Sequence, residues 1–150
     1  MSKEYIVYVN YLPHFKGEKL KYATSGAIGF DLNSSVEATI KGGKRELLST
    51  GVRMYSPDTA WFIYPRSGLA AKLGINLMNC VAVIDSDYLG EVKVCIYNSS
   101  DTDFVVGAGM RIAQGVINNV DKFKFVEVSD EEFDKFKTDR GTDGFGSTGV

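Results

Sequence analysis

The 150-residue sequence is poor in the side chains that build most metal and redox sites, with two cysteines, Cys80 and Cys95, and a single histidine, His14. Neither cysteine stands in a paired or metal-ligand spacing, which excludes a structural zinc site and leaves oxygen as the donor for any metal. No run approaches the about 18 apolar residues of a membrane span, and the opening Met-Ser-Lys-Glu lacks a charged-then-apolar leader pattern. The sequence therefore predicts an intracellular, cytoplasmic protein, or one inside a host cell if its source is viral, with no membrane partner. An excess of one charge is missing too: 17 Lys and Arg face 19 Asp and Glu, for a net charge of −2. Without a broad basic field, no nucleic-acid partner is expected. Proline is scarce, at three, whereas 16 glycines accompany eight Tyr, nine Phe and one Trp. That balance favours strands joined by tight turns over a helical bundle.

The length fits one domain with a sizeable core. Strands are predicted at Tyr5 to Val9, Val36 to Ile40, Leu47 to Tyr55, Trp61 to Tyr64, Ile112 to Val120 and Lys124 to Val128, each β-branched or aromatic and bounded by Gly, Ser, Asp or Pro. Glu91 to Tyr97 alternates, sending Val92, Val94 and Ile96 to one face and Glu91, Lys93 and Tyr97 to the other. Recurrent turns at this spacing predict an all-β sandwich or barrel. One short helix is predicted over Gly68 to Leu73, with Ser67 as N-cap and Gly74 as its stop. Ser129 to Glu132 has capping-box spacing, compatible with a second short helix or an acidic linker. From Arg140 onward four glycines fall in the last eleven residues, and by composition that stretch reads as a flexible tail.

Three constellations stand out. Pro65-Arg66-Ser67-Gly68-Leu69-Ala70 sets a guanidinium and a hydroxyl at the start of a helix, where outward N–H groups favour an anion. An ordinary capped helix with a surface arginine is the plainer alternative. Val83 to Glu91 gathers Asp85, Asp87 and Glu91 around Tyr88 between two strands. A hairpin turn explains Asp87 and Gly90 but not Tyr88, and Asp85, approached through apolar residues, is a candidate general base toward water. In Arg111-Ile112-Ala113-Gln114 a strand sends Arg111 and Ile112 to opposite faces, leaving Arg111 an ion-pair partner and Gln114 a group able to reach a ligand.

Taken in order, Gly26 to Leu32, Pro65 to Ala70, Asn79 to Gly90, Arg111 to Gln114 and Arg140 to Gly149 resemble the five motifs of the homotrimeric dUTP diphosphatases, over nearly the whole chain. The resemblance implies a distorted jelly roll, β-clip in type, whose domain covers 1–139 and whose arm, 140–150, closes over a neighbouring subunit's active site. It implies hydrolysis of dUTP to dUMP and pyrophosphate, with three sites at the interfaces of a homotrimer. Asp85 would activate the water that attacks the α-phosphorus. Tyr88 would pack under the deoxyribose and exclude a 2′-hydroxyl, Asn79 would face the uracil, and Ile84 lies in the hairpin whose backbone pairs with the base. Arg66, Ser67, Gly68 and Gln114 would grip the phosphates. The metal implied is Mg²⁺ bridging those phosphates, with Asp31 holding one of its waters; without the resemblance Asp31 is a turn cap before Leu32. The tail becomes a lid in which Phe145 stacks on uracil while Arg140, Gly146, Ser147 and Thr148 close over the phosphate end.

Three positions depart from the family pattern: Asp143 and Ala82 replace glycines, and Ile28 replaces a small residue. They leave room for a second reading, a dUTP-binding regulatory member that docks an unknown protein partner. A dCTP deaminase is the third, disfavoured by the intact Asp85 to Tyr88 pattern and the complete arm.

Overall fold

The structure is a computed structural model that describes residues 5–144. The chain divides into two units, Met1–Val120 and Asp121–Val150. Among its described residues the first carries eleven strands and one helix: β1 (Tyr8–Tyr11), β2 (Gly29–Asn33), β3 (Ala38–Ile40), β4 (Arg45–Ser49), β5 (Val52–Tyr55), β6 (Thr59–Tyr64), α1 (Ser67–Leu73), β7 (Ile75–Leu77), β8 (Ala82–Ile84), β9 (Lys93–Asn98), β10 (Phe104–Val106) and β11 (Arg111–Asn119). All pairings are antiparallel. They form sheets ordered β2-β11-β6-β8, β4-β9-β7, β1-β5 and β10-β3. None closes into a barrel among the described residues, and the architecture is all-β and jelly-roll-like, as predicted.

The core follows from alternation. Along β9 and the residue before it, Val92, Val94 and Ile96 are buried while Lys93 is exposed, which matches the predicted faces. In β2, Phe30 and Leu32 turn inward, leaving Gly29 and Asp31 on the outer face. Ile63, Ile112 and Ala113 complete this side of the core. Ile112 and Ala113 are both buried although adjacent, because the register against β2 shifts between Arg111 and Ala113. Such a bulge inserts a residue and re-aims its neighbours. Arg111 stays exposed and Ile112 faces the core, as the pattern predicts.

Several boundaries differ from the sequence-based expectation. The first strand lies at Tyr8–Tyr11, later than Tyr5 to Val9, where it pairs with β5. The run Leu47 to Tyr55 is two strands, interrupted at Thr50 and Gly51. Gly51 has φ +71°, and a Cβ there would meet the Phe15 Cα at 2.6 Å, so a left-handed turn with close backbone approach breaks an otherwise continuous apolar run. Ser67 is the first helical residue, not the N-cap. Arg66 holds the N-cap position with extended backbone and no side-chain cap, because a guanidinium only donates and cannot accept from the helix N–H groups, whereas Gly74 ends the helix in a left-handed conformation, as expected.

The second unit contains α2 (Asp130–Phe133), whose N-cap Ser129 completes a capping box with Glu132. Helix, not linker, is therefore the outcome at this point. Lys124 to Val128 forms no strand. A strand needs a ladder partner, and Phe123 and Phe125 are 82% and 97% exposed.

Candidate active site

Register brings the first group together. Gln114 on β11 lies opposite Asp31 of β2 on one side and Tyr64 of β6 on the other. Strand β6 then runs out through Pro65 and Arg66 into α1, so three segments distant in sequence meet at one end of the four-stranded sheet. The Gln114 side-chain amide donates to the Pro65 carbonyl at 2.8 Å, fixing β11 to the start of the helix. Arg66 Nε donates to Asp31 Oδ1 at 3.0 Å, and Arg111 Nη1 reaches Asp31 Oδ2 at 3.4 Å. One carboxylate thus aligns two guanidinium groups. Asp31 is a mid-strand residue, which excludes the turn-cap reading.

Ser67 and Gly68 are exposed in the first turn of α1, where helix geometry leaves N–H groups without intrahelical partners. Asp31, Arg111 and Gln114 also line a cavity of about 690 Å³ together with Glu18, Lys19 and Lys21, the last of them paired with Glu18 at 2.7 Å. The combination of guanidiniums, open amides and ammonium groups suits a polyanion. The lysines of this loop were not singled out by the sequence, since isolated surface lysines carry no spacing signal.

The second group surrounds β8. Ile84 is half-buried and pairs with Trp61, and Asp85 follows it in an exposed turn closed by the Tyr88 N–H on the Asp85 carbonyl at 3.1 Å. Asp85 and Ser86 line a small cleft with Val7, Met54, Trp61 and Ile117 and with the hydroxyl-bearing Ser56 and Thr59. Tyr88 is half-exposed, and its hydroxyl donates to the Glu91 carbonyl at 3.0 Å. Asn79 is exposed in the turn between β7 and β8. Of the three departures, Ala82 is buried opposite Ile63, Ile28 is exposed, and Asp143 is exposed with its N–H on the Arg140 carbonyl at 3.2 Å. Arg140 is exposed in that turn, whereas Phe145, Gly146, Ser147 and Thr148 lie outside the described residues.

The two groups do not meet within one chain. The last ladder pair before Asp85 is Ile84 with Trp61, while Gln114 pairs with Tyr64. Three residues of strand separate these levels by about 10 Å, before the lateral spacing of two strands is added. The candidate base and the guanidinium cluster occupy opposite ends of one sheet.

A dUTPase family profile matches residues 16–149. The chain belongs to the dUTPase family. It is 44% identical over 147 residues to a deoxyuridine 5′-triphosphate nucleotidohydrolase of Rickettsia bellii, covering 96% of this chain and 95% of the relative. It is 43% identical over 143 residues to one from Neorickettsia sennetsu, with 93% of each chain covered. The fold matches that of a Staphylococcus bacteriophage 80alpha dUTPase in complex with dUpNHpp, with a TM-score of 0.84 at 19% identity over 97% of this chain and 99% of the other. Four of the five motif segments therefore sit where the two groups lie, the first, second and fourth at the guanidinium corner and the third on the β8 hairpin, while the fifth, Arg140 to Gly149, runs beyond the described residues.

Proposed function

We propose that this chain hydrolyses dUTP to dUMP and pyrophosphate, as the names of its relatives state for those proteins. The observation that carries the reading is the register of Gln114 against both Asp31 and Tyr64, which joins three motifs into one corner built for a polyphosphate.

In this reading Arg66, Ser67, Gly68 and Gln114 hold the phosphate chain, with charge-assisted bonds from the Arg66 guanidinium and the first-turn amides. Asp85 accepts the proton of the water that attacks the α-phosphorus. Water is the better nucleophile once a carboxylate stands within hydrogen-bond reach, and the phosphate chain, neutralised by guanidiniums, is the better leaving group. Tyr88 packs against the deoxyribose, Asn79 and the Ile84 backbone recognise the uracil, and 140–150, with Arg140, Phe145, Gly146, Ser147 and Thr148, covers the bound nucleotide. Because Asp85 and Arg66 stand at opposite ends of a sheet, a complete site draws them from different copies of a closed oligomer, in keeping with the homotrimer that the family resemblance implies.

Mg²⁺ fits the corner. Each oxygen of Asp31 accepts one guanidinium and keeps lone pairs free, and a single carboxylate at a cavity wall suits a hydrated ion bound mainly through substrate phosphates. When bound, the ion would supply charge neutralisation along the phosphates. No helix among the described residues is long and apolar enough to cross a membrane, and we place the enzyme in the cytoplasm.

The test is pyrophosphate release from dUTP, dCTP, dTTP and UTP, with Mg²⁺ and with chelator, on protein sized by light scattering. Selective, Mg²⁺-dependent release from dUTP by a trimer is expected. Binding without release would instead point to the buried Ala82 and to Asp143, and favour the regulatory reading.

A further inference from the structure

The one histidine of the chain is joined to the hairpin of Asp85 and Tyr88 through Glu91. His14 Nε2 lies 2.8 Å from Glu91 Oε1, and the same oxygen accepts the Gly51 N–H at 2.8 Å. The Glu91 side chain is only 16% exposed. Its backbone carbonyl, in turn, accepts the Tyr88 hydroxyl at 3.0 Å. A Cβ on Gly90 would come within 2.4 Å of that hydroxyl, so the ring folds back across the glycine onto the foot of its own hairpin.

The foot is tied on all sides. Leu12 donates to the Gly51 carbonyl at 2.8 Å, Phe15 donates to the Leu12 carbonyl at 2.9 Å, and Val92 donates to the Val52 carbonyl at 2.8 Å. The loop bearing His14 is thereby clamped to the β4–β5 turn, and Glu91 is the side chain that links both to the hairpin. A carboxylate receiving two donors, one of them a ring nitrogen, is held more firmly than a neutral acceptor would be.

We infer that His14 and Glu91 are positioning residues for Tyr88 and thereby set the discrimination between deoxyribose and ribose. The inference rests on the proposed role of Tyr88 beneath the sugar. Neither side chain need touch the nucleotide. Together they fix the height and tilt of the Tyr88 ring, and a ring free to shift by a fraction of an ångström admits a 2′-hydroxyl that a fixed ring rejects. The Tyr88 hydroxyl is spent on the Glu91 carbonyl, which leaves the ring face, not a polar atom, to meet the sugar.

The experiment compares kcat and KM for dUTP and UTP in full-length His14→Phe, His14→Gln, Glu91→Gln and Tyr88→Ala proteins, each first shown to be folded at the assay temperature. Loss of the bond in His14→Phe, or of the charge that strengthens it in Glu91→Gln, should lower the dUTP-over-UTP ratio about five-fold in the first and about two-fold in the second, mainly through KM. His14→Gln, which restores a donor, should recover most of it. An unchanged ratio in both His14→Phe and Glu91→Gln overturns the inference, as does an equal loss in His14→Phe and His14→Gln, which would mark bulk packing as the cause. Should Tyr88→Ala also leave the ratio intact, the role of Tyr88 itself fails. If only Tyr88→Ala lowers it, the site stands and the positioning role alone falls.

Discussion

Asp31 and Arg66 form an ion pair of 3.0 Å that bridges 35 residues of sequence and links the outer face of β2 to the start of α1. Neither partner is fully buried: their side chains are 37% and 28% exposed, so solvent reaches the pair and its energy is modest. Its value is geometric. With Arg111 on the other carboxylate oxygen, Asp31 fixes the direction of two guanidiniums at once, which is what the proposed phosphate site requires of them.

Asp31→Asn should therefore act in opposite directions on two measurements. Removing one negative charge beside Arg66 and Arg111 should tighten binding of a non-hydrolysable dUTP analogue in chelator, by about three-fold given the exposure of the pair. The Mg²⁺ concentration for half-maximal turnover should rise, because the carboxylate proposed to hold the ion's water is gone. Calorimetric titration and a Mg²⁺ activation curve measure the two effects. A variant weaker in both would show that Asp31 serves only to support the arginines.

Gln114→Glu tests the link between β11 and the helix start. The new carboxylate cannot donate to the Pro65 carbonyl, and it would stand directly across the strand pair from Asp31. Loss of a part-buried hydrogen bond together with cross-strand like-charge repulsion should cost about 1–2 kcal/mol of stability. Nucleotide affinity should fall as well. Urea unfolding at neutral pH reports the first effect and KM for dUTP the second, and an unchanged unfolding midpoint would remove the structural role of this side chain.

The sequence made the sheet character, the short helix and its Gly74 stop legible because each has a local cause: alternation at Val92 to Ile96, a left-handed glycine after Leu73. It did not reveal β2, β7 or β10. Gly29–Asn33 carries Gly and Asp, residues poor in strand propensity, and it is a strand only because β11 pairs with it. Ile75–Leu77 and Phe104–Val106 are three residues each, too short for a period to declare itself. The motifs located Asp31, Arg66 and Gln114, and the ion-pair alternative for Arg111 was open from its strand position. The tie from His14 to Glu91 spans 77 residues and leaves no trace in spacing.

Mixing subunits would decide whether Asp85 and Arg66 act from different chains. Asp85→Asn should fold and bind dUTP yet lose at least about 10²-fold in turnover, the usual scale for a general base. Arg66→Ala should lose activity through phosphate binding. If the two residues of each site come from different copies, trimers reassembled from equal amounts of the two variants should regain about a quarter of wild-type sites, since closed symmetry places intact partners together by chance. Sites built within one chain would regain none. Activity of the refolded mixture, compared with each variant refolded alone, separates these outcomes.

Acid should expose the contribution of Glu91. Burial pushes its carboxyl toward higher pKa, but the hydrogen bonds from His14 and Gly51, with the nearby charges of His14 and Lys93, outweigh that and hold it below the ordinary carboxylate range. A group that is more acidic folded than unfolded contributes its full stabilisation above the unfolded pKa and loses it as pH falls through the folded value. Wild type should therefore exceed Glu91→Gln in unfolding midpoint at pH 7, and the gap should shrink as the pH is lowered through and below the carboxylate range. Protonation leaves the wild-type side chain, like glutamine, without the charge that draws both donors. Urea midpoints of the two proteins across this range provide the check, and a gap that stays constant into acid would show that the charge on Glu91 contributes nothing to the clamp.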